Sequence, residues 1–185
     1  MNPFATAAFA LFLTAPSFAD TPAIESEVFE ASGTHEEIAK RGELCIAQLV
    51  KNDGLSVKDA TNGAGLLGTV AQNPFDPKND KQLIQAGNVI VASNADTVVA
   101  NNRLPIQQFL TGRTIIQSVI TLFAKDGRFK ISHSDVQFAI QNTGYLDNNG
   151  FGPLDPKAKL YGKASSALQE LSTQIAQCVK QKSDW

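Results

Sequence analysis

Two segments of the chain carry apolar residues three and four positions apart, which is the spacing of a helix with one buried face. The first follows Thr34, which forms a capping-box pattern with Glu37, and Gly54 is its predicted C-terminal stop. The second is predicted to begin with Asp155 as N-cap and Pro156 in its first turn. The apolar positions are Ile38, Gly42, Cys45, Ile46 and Leu49 in the first helix, and Leu160, Ala164, Ala167, Leu168, Leu171, Ile175, Cys178 and Val179 in the second. Each helix is therefore expected to pack one face on a core.

Other segments alternate apolar and polar residues or contain short β-branched runs, as strands do. These segments are 24–30, 55–61, 66–72, 89–91 and 98–99. Turn residues at 62–65 join two of them, and Pro105 is expected to begin a short helix. The elements therefore run as strand, helix, several strands and a final helix, which indicates an α+β domain.

The longest predicted hairpin turns at Asp126-Gly127, a dipeptide typical of a two-residue type I′ turn. If the register set by this turn continued unchanged, Asp135 would point to the apolar face of the hairpin and Phe138 away from it. One additional residue at 133–135 brings Phe138 opposite Ile116 and restores the pattern. The sequence therefore predicts a β-bulge there, in a sheet that is mostly antiparallel because its hairpins are short.

Residues 1–19 have the pattern of a secretory signal peptide. An apolar run rich in Ala, Phe and Leu occupies 3–15, and small residues stand three and one positions before Asp20. This pattern suits cleavage between Ala19 and Asp20 and would leave one mature domain at 20–185. No apolar run is long enough to span a bilayer, so no transmembrane segment is predicted. We expect a periplasmic or secreted protein.

Export would change how the two cysteines, Cys45 and Cys178, are interpreted. In an oxidising compartment two thiols of one chain tend to pair, and each lies on the apolar face of its predicted helix. Two helices packed side by side on one face of a sheet would bring them together. A bond that closes so long a loop would stabilise the fold by about 4–5 kcal/mol on the chain-entropy model. Two buried free thiols are the alternative.

The charge balance argues against a nucleic-acid ligand. The chain has 16 Lys and Arg residues against 18 Asp and Glu residues, a formal net charge of −2. The basic residues are scattered and form no stripe interleaved with aromatic residues, so no nucleic-acid partner is expected.

Two short motifs resemble ligand-binding loops. Residues 63–68 match G-x-G-x-x-G, but a dinucleotide site needs a helix at this turn, whereas the sequence after Leu66 is typical of a strand. The loop at 147–150 lacks the alternating oxygen ligands of an EF-hand, and turn formation explains its residues. No cofactor is therefore predicted.

The two histidines are His35 and His133. His35 falls in the first turn of a helix, where side chains are usually exposed. His133 and Asp135 are two apart and could share a strand face as a minimal metal pair, but a catalytic zinc site needs a third ligand. Neighbouring serines point to the opposite face of the strand, which argues against a Ser-His-Asp triad. Structural roles are expected, and no catalytic, cofactor-binding or metal-binding residue is assigned.

Three stretches of the chain, 33–38, 57–68 and 125–130, resemble a family of bacterial exported domains of unknown function with a TATA-binding-protein-like (TBP-like) fold. The matching residues are Gly33-Thr34-His35-Glu36-Glu37-Ile38, Val57-Lys58-Asp59 to Gly65-Leu66-Leu67-Gly68, and Lys125-Asp126-Gly127-Arg128-Phe129-Lys130. The resemblance implies an α+β fold in β-α-β(n)-α order, with two helices on one face of a curved, mostly antiparallel sheet. It makes 73–112 a possible insertion, and it implies no established activity.

Two functions are compatible with these features. The first is an exported, non-enzymatic binding or accessory domain that contacts a protein, lipid or small ligand through its sheet face or the loops at 73–112 and 142–155. The alternative is a hydrolase that uses carboxylates such as Asp76, Asp80 or Asp135, which need not be adjacent in sequence. We favour the binding domain because none of the spacings described above forms a catalytic group.

Overall fold

A computed structural model describes residues 22–58, 80–84, 86–108, 112–141 and 150–181. The helices are α1 (His35–Leu49) and α2 (Lys159–Lys180). The strands are β1 (Ile24–Glu25), β2 (Phe29–Glu30), β3 (Leu55–Lys58), β4 (Asp80–Ile84), β5 (Ile90–Ser93), β6 (Thr97–Gln108), β7 (Gly112–Lys125), β8 (Arg128–Ile140) and β9 (Gly152–Pro153). The predicted strand at 66–72 lies outside the described residues.

In these ranges the strands form an antiparallel sheet of seven, with the order β1-β8-β7-β6-β5. The short strands β2 and β9 pair with other parts of β8, so β8 carries three partners along one edge. A separate two-stranded sheet joins β3 and β4. The predicted α+β fold with a large antiparallel sheet is confirmed.

Both helices pack on the same face of the large sheet. The main core contains Ile38 and Ile46 from α1, Ile175 from α2, and Ile120 and Leu122 from β7, all fully buried. The predicted apolar stripes thus point into one shared core, as expected for amphipathic helices on a sheet.

The first helix begins as predicted and ends earlier. The Thr34 hydroxyl accepts from the Glu37 amide, and the Glu37 carboxylate accepts from the Thr34 amide, which completes the capping box. The helix ends at Leu49, before the predicted stop at Gly54, because Val50 adopts an extended conformation and is buried at 4% exposure. The burial of Val50 therefore sets where α1 ends, and Gly54 does not.

The second helix starts later than predicted. Ala158 is the N-cap and provides no side-chain hydrogen bond. The Asp155 carboxylate accepts from the Lys157 amide, and the Asp155 carbonyl accepts from the Ala158 amide. Asp155 therefore stabilises a turn that leads into α2 and does not cap the helix itself.

The predicted β-bulge in the β7–β8 hairpin is confirmed. Ile116 lies opposite Phe138, whereas Val119 lies opposite Ser134, so β8 contains one extra residue between these pairs. Asp135 occupies the extra position with φ +48°, in the left-handed region that bulges often use. The bulge keeps the apolar residues on both sides of it facing the helices.

The turn of this hairpin differs from the predicted type I′. Gly127 has φ +76°, but Asp126 does not have a positive φ. Contacts outside the hairpin account for the difference: the Asp126 carboxylate accepts from the His35 amide at 2.7 Å. The Gly127 amide also donates to the Gly33 carbonyl, and the Ala31 amide donates to the Gly127 carbonyl. The turn is therefore shaped by the start of α1.

The predicted strand at 24–30 is divided into β1 and β2. Ile24 pairs with His133 and Phe29 with Phe129, so the register shifts by one residue between the two strands. An uninterrupted strand would place Ile24 and Phe29 on opposite faces. The shift buries both of them and leaves Val28 60% exposed.

Residues 73–112, the possible insertion, contribute β5 and β6 to the large sheet. The predicted helix at Pro105 is wrong, because Pro105 lies within β6 and pairs with Ile115. A proline lacks the amide hydrogen and is tolerated where one side of a strand is unpaired. In the described residues β5 flanks β6 only as far as Ala100. Within these residues Pro105 therefore lies where β6 has a strand partner, β7, on one side only.

The predicted disulfide is present between Cys45 of α1 and Cys178 of α2. Their Cα atoms are 5.9 Å apart, and the bond closes a sequence separation of 133 residues. It joins the two helices across the face that they share on the sheet.

The close packing of α1 on the sheet depends on Gly42. A Cβ atom at this position would lie 2.7 Å from Cδ1 of Leu122, which is fully buried. We expect Gly42→Ala to lower the free energy of unfolding by about 1–2 kcal/mol, because overpacking outweighs the higher helix propensity of alanine. Leu122→Val shortens the clashing side chain, so in urea denaturation the double variant should lose less than the sum of the single losses. Additive losses would contradict the contact.

Candidate functional site

The face of the large sheet opposite the helices is open over most of its described area. Strand alternation places Val99, Asn101, Thr121, Ser132 and Ser134 on this open face, because their neighbours in the chain point into the core. At the end far from the β7–β8 turn, Phe151 packs on Ile115 and Ala139. The middle of the open face therefore carries small polar side chains together with Val99 and Val119, and the end at Phe151 is apolar.

A cleft lies at the other end of the open face, beside the β7–β8 turn. Its volume is about 160 Å³, and its lining residues are Val28, Phe123, Lys125, Arg128, Phe129 and Lys130. We call it the turn-end cleft. Three of these residues are cationic, and Val28 and Phe123 are large apolar residues with 60% and 42% exposure. The cleft thus combines positive charge with exposed apolar surface.

The cations of the turn-end cleft are placed by the register of the hairpin. Lys125 lies directly opposite Arg128, and Phe123 directly opposite Lys130. Because alternate residues share a face, all four side chains project from the open face. The Lys130 Nζ atom lies 5.8 Å from the centre of the Phe123 ring and 3.3 Å from a carboxylate oxygen of Glu25.

His133 lies on the other face, inside a buried polar network. Its Nε2 atom is 2.9 Å from the Ser172 hydroxyl, and its Nδ1 atom is 3.4 Å from the Ser118 hydroxyl, which also accepts from the Asn102 side chain. All four residues are at most 1% exposed. Neither the Ser172–His133 pair nor the Ser118–His133 pair can therefore contact a substrate in the folded protein. Burial lowers the pKa of His133 to about 4, against a smaller opposing hydrogen bond to the Leu168 backbone. His133 is therefore a neutral core histidine at pH 7.

The possible metal pair of His133 and Asp135 does not form. Asp135 is exposed on the bulge, where its carboxylate accepts from the Gln137 side chain, while His133 points into the core. Within the described ranges no three His, Cys, Asp or Glu side chains are grouped to hold a metal ion.

His35 contributes to structure at the start of α1. Its Nδ1 atom lies 2.8 Å from a carboxylate oxygen of Asp126, which also accepts from the His35 amide. Hydrogen bonds from the His35 side chain, and then from its amide, hold the pKa of Asp126 below its ordinary value. Asp126 thus provides negative charge at the positive end of the helix dipole.

The remaining sequence candidates lie wholly or partly outside the described residues. These are the cleavage site at Ala19 and Asp20, the glycine motif at 63–68, Asp76, and the loop at 147–150 up to Asn149. For Asp80 the structure gives only its place at the start of β4.

Sequence reasoning missed the turn-end cleft, although a signal was present. The turn at Asp126-Gly127 already fixes which side chains oppose each other in the hairpin. The same register that places Leu122 and Ile131 in the core places Phe123, Lys125, Arg128 and Lys130 together on the other face. The contribution of Val28 depends on the register shift between β1 and β2, which the alternation pattern did not reveal.

The helices that the structure describes lack the combination of length and hydrophobicity needed to cross a membrane.

Comparisons with known proteins identify the fold. No family model and no curated protein matches the chain. The chain is similar to the crystal structure of a TBP-like protein from Parabacteroides distasonis, with a TM-score of 0.52 and 9% sequence identity over 85% of this chain and 91% of that chain. It is also similar to a DUF4468 family protein from Bacteroides ovatus, with a TM-score of 0.45 and 12% identity over 88% of each chain. The order of elements and the first of these similarities show that the chain has a TBP-like fold.

Proposed function

We propose that this protein is an exported binding domain that presents the open face of its large sheet to a ligand, with the turn-end cleft as the main contact site. The observation that carries the proposal is the cleft itself, where three cations surround exposed apolar side chains of Val28 and Phe123. Such a mixture of apolar surface and a few polar groups in a concave site is typical of ligand binding.

The architecture supports this assignment of faces. One face of the sheet is occupied by α1, α2 and the main core, so it is not available to a ligand. An antiparallel sheet needs only one covered face and can present the other to a partner. The cations at the turn end and the small, uncharged residues in the middle give the open face two chemically distinct regions.

Export is supported by one feature of the sequence and one feature of the structure. The pattern of residues 1–19 is that of a signal peptide, and the disulfide between Cys45 and Cys178 belongs to a class of bond that persists in oxidising compartments. The proposed location is the periplasm or the extracellular space.

Binding is tested by a small-molecule screen that reports position. The purified protein is titrated with mixtures of neutral, cationic and anionic compounds, and amide shifts are followed by NMR. Ligands should shift amides at Phe123, Lys130 and Ser132 on the open face. Shifts confined to α1 and α2, or no saturable shift with any compound class, would overturn the assignment of the open face.

Export is tested by expressing the full chain in a bacterial host and measuring the mass of the accumulated protein in each cell fraction. We expect a protein that begins at Asp20 in the periplasmic or secreted fraction. A full-length chain that remains in the cytoplasmic fraction would contradict export.

A further inference from the structure

The turn-end cleft as a whole has room for one small ring or short alkyl chain. Cavities of about 150 Å³ lined by apolar side chains can hold a benzene molecule, and this cleft has a volume of about 160 Å³. Val28 and the Phe123 ring supply the exposed apolar surface, and both would lose contact with water when an apolar group enters.

The cations of the cleft are arranged so that a negative charge would stabilise them. Lys125 and Arg128 lie directly opposite each other on neighbouring strands, where like charges are destabilising. Neither forms an ion pair within the part of the chain that the structure describes. Glu30 lies opposite Arg128 on β2 but does not bond to it. An anion between Lys125 and Arg128 would relieve their repulsion.

Lys130 differs from these two cations because it already has an anionic partner. The Glu25 carboxylate lies 3.3 Å from the Lys130 Nζ atom, which is also held near the Phe123 ring. Glu25 therefore neutralises Lys130, and it repels any anion that approaches the cleft. The positive charge available to a ligand comes from Lys125 and Arg128, and Glu30 opposite Arg128 offsets part of it.

We propose that the turn-end cleft binds a small anion that carries an apolar ring or short alkyl chain, with the anionic group between Lys125 and Arg128 and the apolar group against Phe123 and Val28. The inference rests on the proposed function and adds the class of ligand. A carboxylate suits the guanidinium of Arg128, which offers paired N–H donors.

The test uses three probes on the purified protein: phenylacetate, benzyl alcohol and acetate. Phenylacetate has both groups, whereas each of the others has one. Affinities are measured from saturable NMR shifts of the amides at Phe123, Lys125, Arg128 and Lys130. Phenylacetate should bind at least about tenfold more tightly than either partial probe, since charge and apolar contact contribute separately. Equal affinity for benzyl alcohol would overturn the role of the cations, and equal affinity for acetate would overturn the role of the apolar wall.

Two charge variants are expected to change the affinity for phenylacetate in opposite directions. The double variant K125Q/R128Q should weaken phenylacetate binding by about tenfold, and Glu25→Gln should strengthen it by about twofold, as Coulombic effects of partly exposed charges predict. The control K157Q/K159Q removes the same charge from exposed positions before and at the start of α2, and should leave the affinity unchanged. Amide spectra that match the parent protein outside the hairpin establish that each variant is folded.

Two results would refute the inference: K125Q/R128Q binding phenylacetate as tightly as the control, or phenylacetate shifting amides only outside the cleft. Failure of this inference is distinguishable from failure of the proposed function. Compounds of other chemistry that shift open-face amides in the screen would retain the binding domain and reject the anionic ligand.

Discussion

Replacement of both Cys45 and Cys178 by alanine is expected to lower the free energy of unfolding by about 4–5 kcal/mol on the chain-entropy model. The bond closes a loop of 133 residues and so removes many conformations from the unfolded chain. It also joins α1 to α2, which contact each other at the shared core and through a hydrogen bond from the Arg41 side chain to the Val179 carbonyl. The measurement is urea denaturation of the oxidised parent protein and of the double variant.

Reduced parent protein provides the control for this prediction. Its stability should match that of C45A/C178A to within the small effect of replacing two sulfur atoms, because both proteins lack the same link. A loss below about 1 kcal/mol in both would show that the unfolded chain is already compact and that the link adds little.

Acid is expected to destabilise the protein by about 3 kcal/mol between pH 6.5 and pH 4 through His133 alone. The pKa of His133 is about 4 in the folded protein, below the ordinary value of 6.5 that applies to the unfolded chain. The unfolded chain therefore binds the proton first. The stabilising contribution of neutral His133 is complete above pH 6.5 and is lost as the pH falls toward 4.

His133→Gln isolates this effect, because glutamine retains hydrogen-bonding groups near Ser172 and does not titrate. Any change that the substitution makes to the hydrogen bonds around Ser172 lowers the free energy of unfolding at all pH values alike. The steep decrease of this free energy between pH 6.5 and 4 should be absent in the variant. Asp126 also loses stabilising contacts in acid, mostly below its ordinary pKa of 3.8, so it contributes little in this window. Parallel pH profiles for the parent and the variant would contradict the role of His133.

The parts of the fold predicted correctly are those governed by local periodicity. The stripes of α1 and α2 and the bulge at Asp135 follow from which residues must be buried, and the sequence displays that requirement directly. The disulfide followed from two such stripes, each with one cysteine.

The errors arose where contacts distant in sequence decide the local conformation. Pro105 lies in a strand because, in the described residues, β5 flanks β6 only as far as Ala100. Asp126 avoids a positive φ because its carboxylate binds the start of α1. Val50 ends α1 because the core takes up its side chain. None of these partners can be identified from neighbouring residues in the chain. The turn-end cleft was missed for the same reason, since Val28 lines the cleft only because of the register shift before β2.

One wall of the turn-end cleft is formed by Val28, which lies between two short strands at the edge of the large sheet. Glu25 and Val28 belong to a segment held by two strands of two residues each, whereas β7 and β8 pair over more than ten residues. Ile24 and Phe29 nevertheless anchor this segment, because both are buried in the hydrophobic core and the Ser26 amide between them donates to the Ile131 carbonyl. The width of the cleft therefore depends on how these two side chains pack in the core.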